Sequence, residues 1–450
     1  MEPSLTPASC RNFTFPKQLH ITDRNDTISN LPDAVLSYIL SLLSTKDAIR
    51  TSVLSKRWKE LWLSIPHFVF DEGCQGDRTV FTNLLSRVIH RDTVLVKLSI
   101  SCHALHDASL LQAFLCNVRE LNLNFSEFDG PFNLPSFACS PESLISFRMR
   151  LCHNVLNLPS SLCFPSLKTL HLECVKFPDN PSIQQLFSNC CMLEHLVLDK
   201  CKWTTDNVIN APTLRSLTIH EELVEFFTVN KHVITIIGSE LQFLEYKGGL
   251  ENEYSLSDLP SLAVADISVG DLPRLYDHDR IVALRAFLLL TKLKNVRCLT
   301  ITPDTAEVIS SYEHECLIPW PEFKNLTKLV ISESPVDLTC DSLLSLLSRA
   351  HCLQSIVFSE GIFISEDEDW EWDPVPDCFS SHLKNIHVGG LCGYASELCI
   401  LHFFLKHAIV LQRMVISFSA DMSENLEIEQ VMRENLLALP RGSMCRIEFS

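Results

Sequence analysis

Two hydrophobic patterns divide this chain. Between Leu31 and Trp62 the apolar positions recur at helical spacing. Val35, Leu36, Ile39, Leu40 and Leu43 fall on one helical face, and Ile49, Val53 and Leu54 form the next stripe. Pro32 suits a first helical turn, where a missing N–H costs nothing, and Asp33 places a carboxylate at the positive end of the helix dipole. Ser44 and Asp47 have capping-box spacing, and Thr45 is a second cap candidate. Ser55 can cap a third helix carrying Trp58, Leu61 and Trp62. The stretch predicts three short helices in tight succession. They hold more apolar side chain than about forty residues bury alone. The surplus must pack on the rest of the chain or serve as a docking face.

Downstream, the period changes. FVFDE at 68–72 reads as a strand, and Arg78 to His90 as a helix with Val80, Phe81, Leu84, Leu85, Val88 and Ile89 on one side. Then a six-residue unit recurs: apolar, two variable, apolar, one variable, apolar. It stands as LVKLSI from Leu95, VRELNL from Val118, LISFRM from Leu144, LKTLHL from Leu167, LEHLVL from Leu193 and LRSLTI from Leu214. It continues as LQFLEY from Leu241, a poor LAVADI from Leu262, VRCLTI from Val296, LTKLVI from Leu326, LQSIVF from Leu353, LKNIHV from Leu383 and LQRMVI from Leu411.

Thirteen units at steps of 21 to 34 residues are the signature of leucine-rich repeats. Each predicts a short strand whose second and third apolar residues point inward while alternate residues face out. Stacked strands are parallel and the array curves, because its convex side is bulkier. Cys152 and Cys201 stand where such repeats often hold Asn or Cys. Proline precedes many strands, in SPESL, FPSL, APTL and LPSL, and marks their start because it cannot donate into a ladder. Longer intervals leave room for helices near Asp279–Thr291 and Asp341–Ala350. The fold class is α/β: a three-helix N-terminal unit, then an irregular solenoid of parallel strands and helices.

Composition narrows the partners. Hydrophobic residues make up 46% of 450, and mean hydropathy is +0.14, so most of the chain is expected to be folded. A formal net charge of −18 argues against nucleic acid or an anionic membrane. Nineteen cysteines are scattered, with no C-x-x-C pair. The opening MEPSLTPASC has no basic stretch followed by an apolar core, so no signal peptide is expected. Together these imply free thiols in a reducing, intracellular compartment, nucleus or cytoplasm. No apolar run reaches membrane-spanning length.

Catalytic signatures are missing: no P-loop, no G-x-S-x-G, no H-E-x-x-H. His103 and His106 follow Cys102, and His402 and His407 share a predicted helix, but neither pair has a second half at zinc-ligand spacing. Cys201 lies between Lys200 and Lys202 without a paired histidine, which favours a structural thiol over a nucleophile. No metal, cofactor or catalytic residue is assigned. The acidic run EDEDWEWD at 366–373 reads as a solvated loop.

The segment from Leu31-Pro32 through VLSYILSLL to TSVLSKRWKELW resembles the F-box of plant proteins, with Ser44 where proline is common. The C-terminal order WDPVPDCFSSHLKNIHVGGLCG, ELCILHFFLKHAIVLQRMVIS and ENLLALPRGSMCRIEFS resembles the FBD domain. Physically that stretch supplies a further repeat, helices near Ser396–Val410 and Ile428–Leu439, and a last strand. Such a cap covers an otherwise bare terminal repeat. The resemblance divides the chain into a tail (1–25), F-box (26–72), repeats (73–365) and FBD (366–450).

It further implies a non-enzymatic substrate-recognition subunit of an SCF-type ubiquitin ligase, bound to a Skp-family adaptor and through it to cullin and a RING subunit. Leu31, Pro32, Ile39, Leu40, Val53, Leu54 and Trp58 match the family's adaptor-docking positions. Alternatives are a small-molecule, hormone-like receptor on the array, or a non-degradative scaffold. Alternation places Arg148, Arg150, His171, Glu173, His195, Asp199 and His220 on the concave face, where a target protein is expected to bind. Their neighbours Ser146, Thr169 and Ser216 share that face.

Overall fold

The computed structural model describes residues 28, 31–75, 77–89, 95–103, 108–126, 130–135, 141–159, 162–178, 182–222, 230–257, 259–270, 276–313, 319–365, 371–420, 426–441 and 444–450. The expected tail at 1–25 lies outside them, as does most of the acidic run. The chain forms two compact units, Met1–Pro66 and His67–Ser450.

In the first unit, helices span Asp33–Ser41, Thr45–Arg50 and Trp58–Leu61, with single 3-10 turns at Thr51–Val53 and Trp62–Ser64. Pro32 sits just before the first helix, and its carbonyl accepts the first two helical bonds, from Val35 and Leu36. Ser44 caps the second helix. Its Oγ accepts from the Asp47 N–H at 3.2 Å and donates to Asp47 Oδ2 at 2.7 Å. The return arm of the expected box therefore ends on the hydroxyl and not on the backbone. Ser55 is not a cap, because the third helix begins at Trp58 and its flanking residue Arg57 makes no side-chain cap bond.

Strand His67–Asp71 opens the second unit. It pairs in parallel with Leu95–Cys102 and so belongs to the sheet, leaving the helical unit to end at Pro66. All thirteen hexads form strands of one parallel ladder, the poor one included, as Val264–Val269. Their register is unbroken from Leu98 through Leu121, Phe147, Leu170, Leu196, Leu217, Leu244, Ala265, Leu299, Leu329, Ile356 and Ile386 to Met414. Every member of this file is buried. Shifting one strand by one residue would turn its leucines to solvent, so burial dictates the register.

Across the buried file, the connections differ along the array. Helices Arg78–Ile89, Ala108–Asn117 and Ser182–Asn189 come early, and Tyr276–Thr291, Pro303–Glu313 and Asp341–Ser348 late. Between these groups, Asn207–Asn210, Val233–Ile237 and Glu253–Leu256 form a second parallel sheet. The C-terminal part adds helices Asp377–Ser381, Ala395–His407 and Leu426–Ala438 and strand Arg446–Phe449. Trp372 departs from the expected solvated loop. It is buried against Phe379, Phe403 and Phe404, and its Nε1 donates to the Leu338 carbonyl at 2.9 Å.

Where the second sheet meets the main one, Glu221 is buried and fully engaged. It accepts from the Tyr246 and Tyr254 hydroxyls at 2.6 and 2.8 Å and from the Glu251 N–H at 2.9 Å. A Cβ at Gly248 would lie 2.6 Å from the Glu221 Cβ, so only glycine allows this approach. Arg285, from the helix behind, donates to the carbonyls of Leu250 and Glu251. The neighbouring Glu251 carboxyl is pushed up from 4.5 to about 7, first by burial and then by the Glu221 charge. Between those values the unfolded chain has released this proton and the folded one keeps it. The stability contribution is therefore complete below 4.5 and is lost as pH rises through 7. Glu251→Gln is expected to flatten that decline. Thermal melts of wild type and variant at about pH 5 and about pH 8 measure it, and an unchanged difference would contradict this account of Glu251.

Candidate functional site

The apolar stripe of the first helix splits in two. Leu36 and Leu40 are buried, whereas Val35, Tyr38 and Ile39 are exposed together with Leu42 and Leu43 just beyond. Steps of three and four residues set the exposed group on one side, and Leu36 and Leu40 about 100° round from it. Val53 and Leu54 are 85% and 64% exposed on the turn after the second helix. Eight large apolar side chains between Ile28 and Leu54 thus face solvent. A soluble surface rarely gathers so many over so short a segment unless something covers them.

Arg57 fixes the start of this surface. Its Nε and Nη2 donate to Asp33 Oδ1 at 2.9 and 2.5 Å, and Nη2 also donates to the Leu31 carbonyl at 2.6 Å. This fork ties the turn before the third helix to the start of the first, where Leu31 is half-buried and Pro32 exposed. Of the seven positions expected to dock, Pro32, Ile39, Val53 and Leu54 are exposed and Leu31 is half-buried, whereas Leu40 and Trp58 are buried within the unit. Their large side chains are worth more inside the unit than on it.

On the second unit, the face opposite the buried file carries the other candidates. Register aligns Arg148 with His171, and Arg150, Glu173, Asp199 and His220 in one row across four strands. His195 lies in the row of Ser146, Thr169 and Ser216. Arg148 donates to Glu173 Oε2 at 2.9 Å, and Arg150 lies 3.3 Å from Oε1. Burial pushes the Glu173 carboxyl up, but the Arg148 bond and the two guanidinium charges outweigh it and hold it below its ordinary value. The His171 imidazole is pushed down, by burial first and Arg148 second.

A His171 ring nitrogen and carboxylate oxygens of Glu173 and Asp199 lie within 4.8 Å of one another. Both guanidiniums already hold Glu173, so the geometry is that of an ion-pair cluster. Cys201 is buried, and its Sγ donates to the Leu172 carbonyl at 3.3 Å. Cys152 does the same to Phe125 at 3.0 Å. Burial pushes the Cys201 thiol up, the reverse of nucleophile activation.

Both rows continue past the expected stripe. His220 is followed by Lys247, which donates to Glu333 at 2.8 Å, and the row of Arg148 and His171 runs on through Val197 and Thr218 to Glu245 and Asp266. His220 Nε2 reaches across to Glu245 Oε1 at 3.1 Å. The alternation in LQFLEY and LAVADI that places Leu244 and Ala265 inside also places Glu245 and Asp266 outside, so these two were within reach of the pattern.

Comparison with known proteins matches three segments of the chain. Family models match at residues 28–70 (F-box domain), 106–237 (FBD-associated F-box protein At5g56370, LRR repeats) and 371–416 (FBD). The chain carries an F-box, leucine-rich repeats and an FBD. F-box/FBD/LRR-repeat protein At5g22700 of Arabidopsis thaliana is 27% identical over 452 residues, covering 95% of this chain and 99% of that one. F-box/FBD/LRR-repeat protein At5g22660 of the same plant is 28% identical over 445 residues, 94% and 96% of the two chains. The putative F-box/LRR-repeat protein At3g58880 is 29% identical over 364 residues, 75% and 78% of the two.

The exposed apolar surface and its Arg57 strap thus lie in the F-box, and the row from Arg150 to His220 in the repeats. Tyr38, Leu42 and Arg57 escaped the sequence reading. Only the three-helix packing shows that the first two are outside and what the third holds. Among the described residues, no helix is long and apolar enough to cross a membrane.

Proposed function

We propose that this protein is a substrate-recognition subunit of an SCF-type ubiquitin ligase, acting by tethering without covalent chemistry of its own. The observation that carries the reading is the apolar F-box surface left open by Val35, Tyr38, Ile39, Leu42, Val53 and Leu54 in a chain that also builds a long open sheet face. The F-box seats a Skp-family adaptor through this surface and the Leu31–Pro32 turn, with Leu40 and Trp58 behind it. The adaptor brings cullin and its RING subunit, in nucleus or cytoplasm. The repeats hold a target protein on the open face, with Arg148, Arg150, His171, Glu173, His195, Asp199 and His220 within reach. Tethering raises the effective concentration of target lysine near the charged conjugating enzyme to the order of millimolar.

Co-expression with a Skp-family adaptor, cullin and RING subunit tests this. The expected result is a soluble complex containing all four, which modifies proteins held on the repeats. Adaptor that fails to co-purify overturns the assignment. A complete complex that transfers no ubiquitin leaves the chain a scaffold.

A further inference from the structure

The open sheet face is unevenly charged. Toward its N-terminal side, Arg148 and Arg150 are both paired with Glu173, so the charge there is balanced within the face. Further along, two carboxylates stand side by side. Glu245 and Asp266 are register partners on adjacent parallel strands, both half-buried. Glu245 has His220 and accepts from Thr218 Oγ1 at 3.2 Å. Asp266 makes no hydrogen bond or ion pair among the described residues. Burial pushes its carboxyl up, and the charges of Glu245 and Glu333 push it further. The charges of Lys247 and His220 offset this only in part, because Lys247 pairs with Glu333 and His220 with Glu245.

Beside the pair the same face is apolar. Phe243 and Val264 are register partners one row away, and Val330 and Val357 continue the row of Asp266 beyond Thr300. All four are half-buried although they point away from the core file. Polar or charged residues would be the default on a solvated sheet face. An uncompensated carboxylate among apolar neighbours is complementary to a cation carried on an aliphatic stem.

We propose that the target protein docks here through a lysine or arginine whose charged end enters between Glu245 and Asp266. Its stem lies on Phe243 and Val264, and adjoining apolar residues lie along Val330 and Val357. The proposal rests on the target-recognition reading above and names the chemistry of the partner.

The test uses the full chain co-purified with a Skp-family adaptor. The complex is applied to an immobilised array of valine- and leucine-rich peptides carrying Lys, Arg, Glu or Ala at one central position. Retention on Lys and Arg peptides should exceed that on Ala peptides by about tenfold and fall with added salt. Asp266→Asn and Glu245→Gln should remove the preference, while Lys97→Ala, on strand Leu95–Cys102 of the same ladder, keeps it. Best retention on Glu peptides, a Lys/Arg preference that survives Asp266→Asn, or no retention at all would overturn the proposal. So would a concentration-dependent dimer of this chain that Asp266→Asn dissolves. Adaptor in the same sample scores the F-box reading separately, so failure of one is not failure of the other.

Discussion

Val53→Asp together with Leu54→Asp releases the adaptor and leaves both units folded. The two side chains are 85% and 64% exposed, so neither contributes much to the core of the free chain. Surface substitutions of this kind usually change stability by no more than about 0.5 kcal/mol. At an interface the balance reverses. Each aspartate would be desolvated against an apolar partner, and losing one well-packed anchor costs about 2 kcal/mol or more, roughly thirty-fold in affinity. The measurement is a pull-down of Skp-family adaptor with wild type and variant, alongside thermal melts. Undiminished adaptor binding by the double variant would remove the docking assignment and with it the ligase reading.

Other F-box substitutions are weaker probes. Leu40→Ala and Trp58→Ala also lose the adaptor, but by opening cavities that cost about 2–5 kcal/mol of folding. Leu31→Ala with Pro32→Ala falls between these cases, because the Leu31 carbonyl holds Arg57 and the Pro32 carbonyl starts the first helix.

Ending the chain after Glu360 gives an aggregating protein even beside the adaptor. Strand Ser355–Phe358 pairs with Lys328–Ile331 on one side and Asn385–Leu391 on the other. Truncation removes the second partner and leaves a row of backbone groups able to pair with another chain. It also removes Trp372, Phe379, Phe403 and Phe404, whose rings pack within about 6 Å of one another, and the Phe404 ring stacked on Phe358 at 5.8 Å. Phe404→Ala is the graded version: the edge stays paired, and stability falls by about 3–5 kcal/mol. Size-exclusion chromatography with light scattering, followed by melts, separates the two. A monodisperse, cooperatively melting truncation would show that the C-terminal part is an independent module.

Most of the architecture was legible in the sequence, and the reason is local. In a strand, burial alternates every second residue, so thirteen hexads announced thirteen strands before any pairing was known. The helices at Arg78–Ile89, Asp341–Ser348, Ala395–His407 and Leu426–Ala438 likewise came within a few residues of expectation. What only the tertiary structure decided depends on neighbours distant in the chain. The second sheet forms from runs as short as NVIN and EYSL, which become strands because consecutive repeats stack them. Trp372 sits in an acidic run, and its burial depends on aromatic rings of a later helix. In the F-box, periodicity put Val35 and Leu36 on one face. Three-helix packing sent Leu36 inward and left Val35 outside, because the apolar stripe is wider than one contact. On the sheet face, alternation named Arg148 and Arg150 but not their charge balance. Register brought Glu173 to both arginines and set Asp266 beside Glu245 without a cation of its own, since the strand that lies adjacent decides which charges meet.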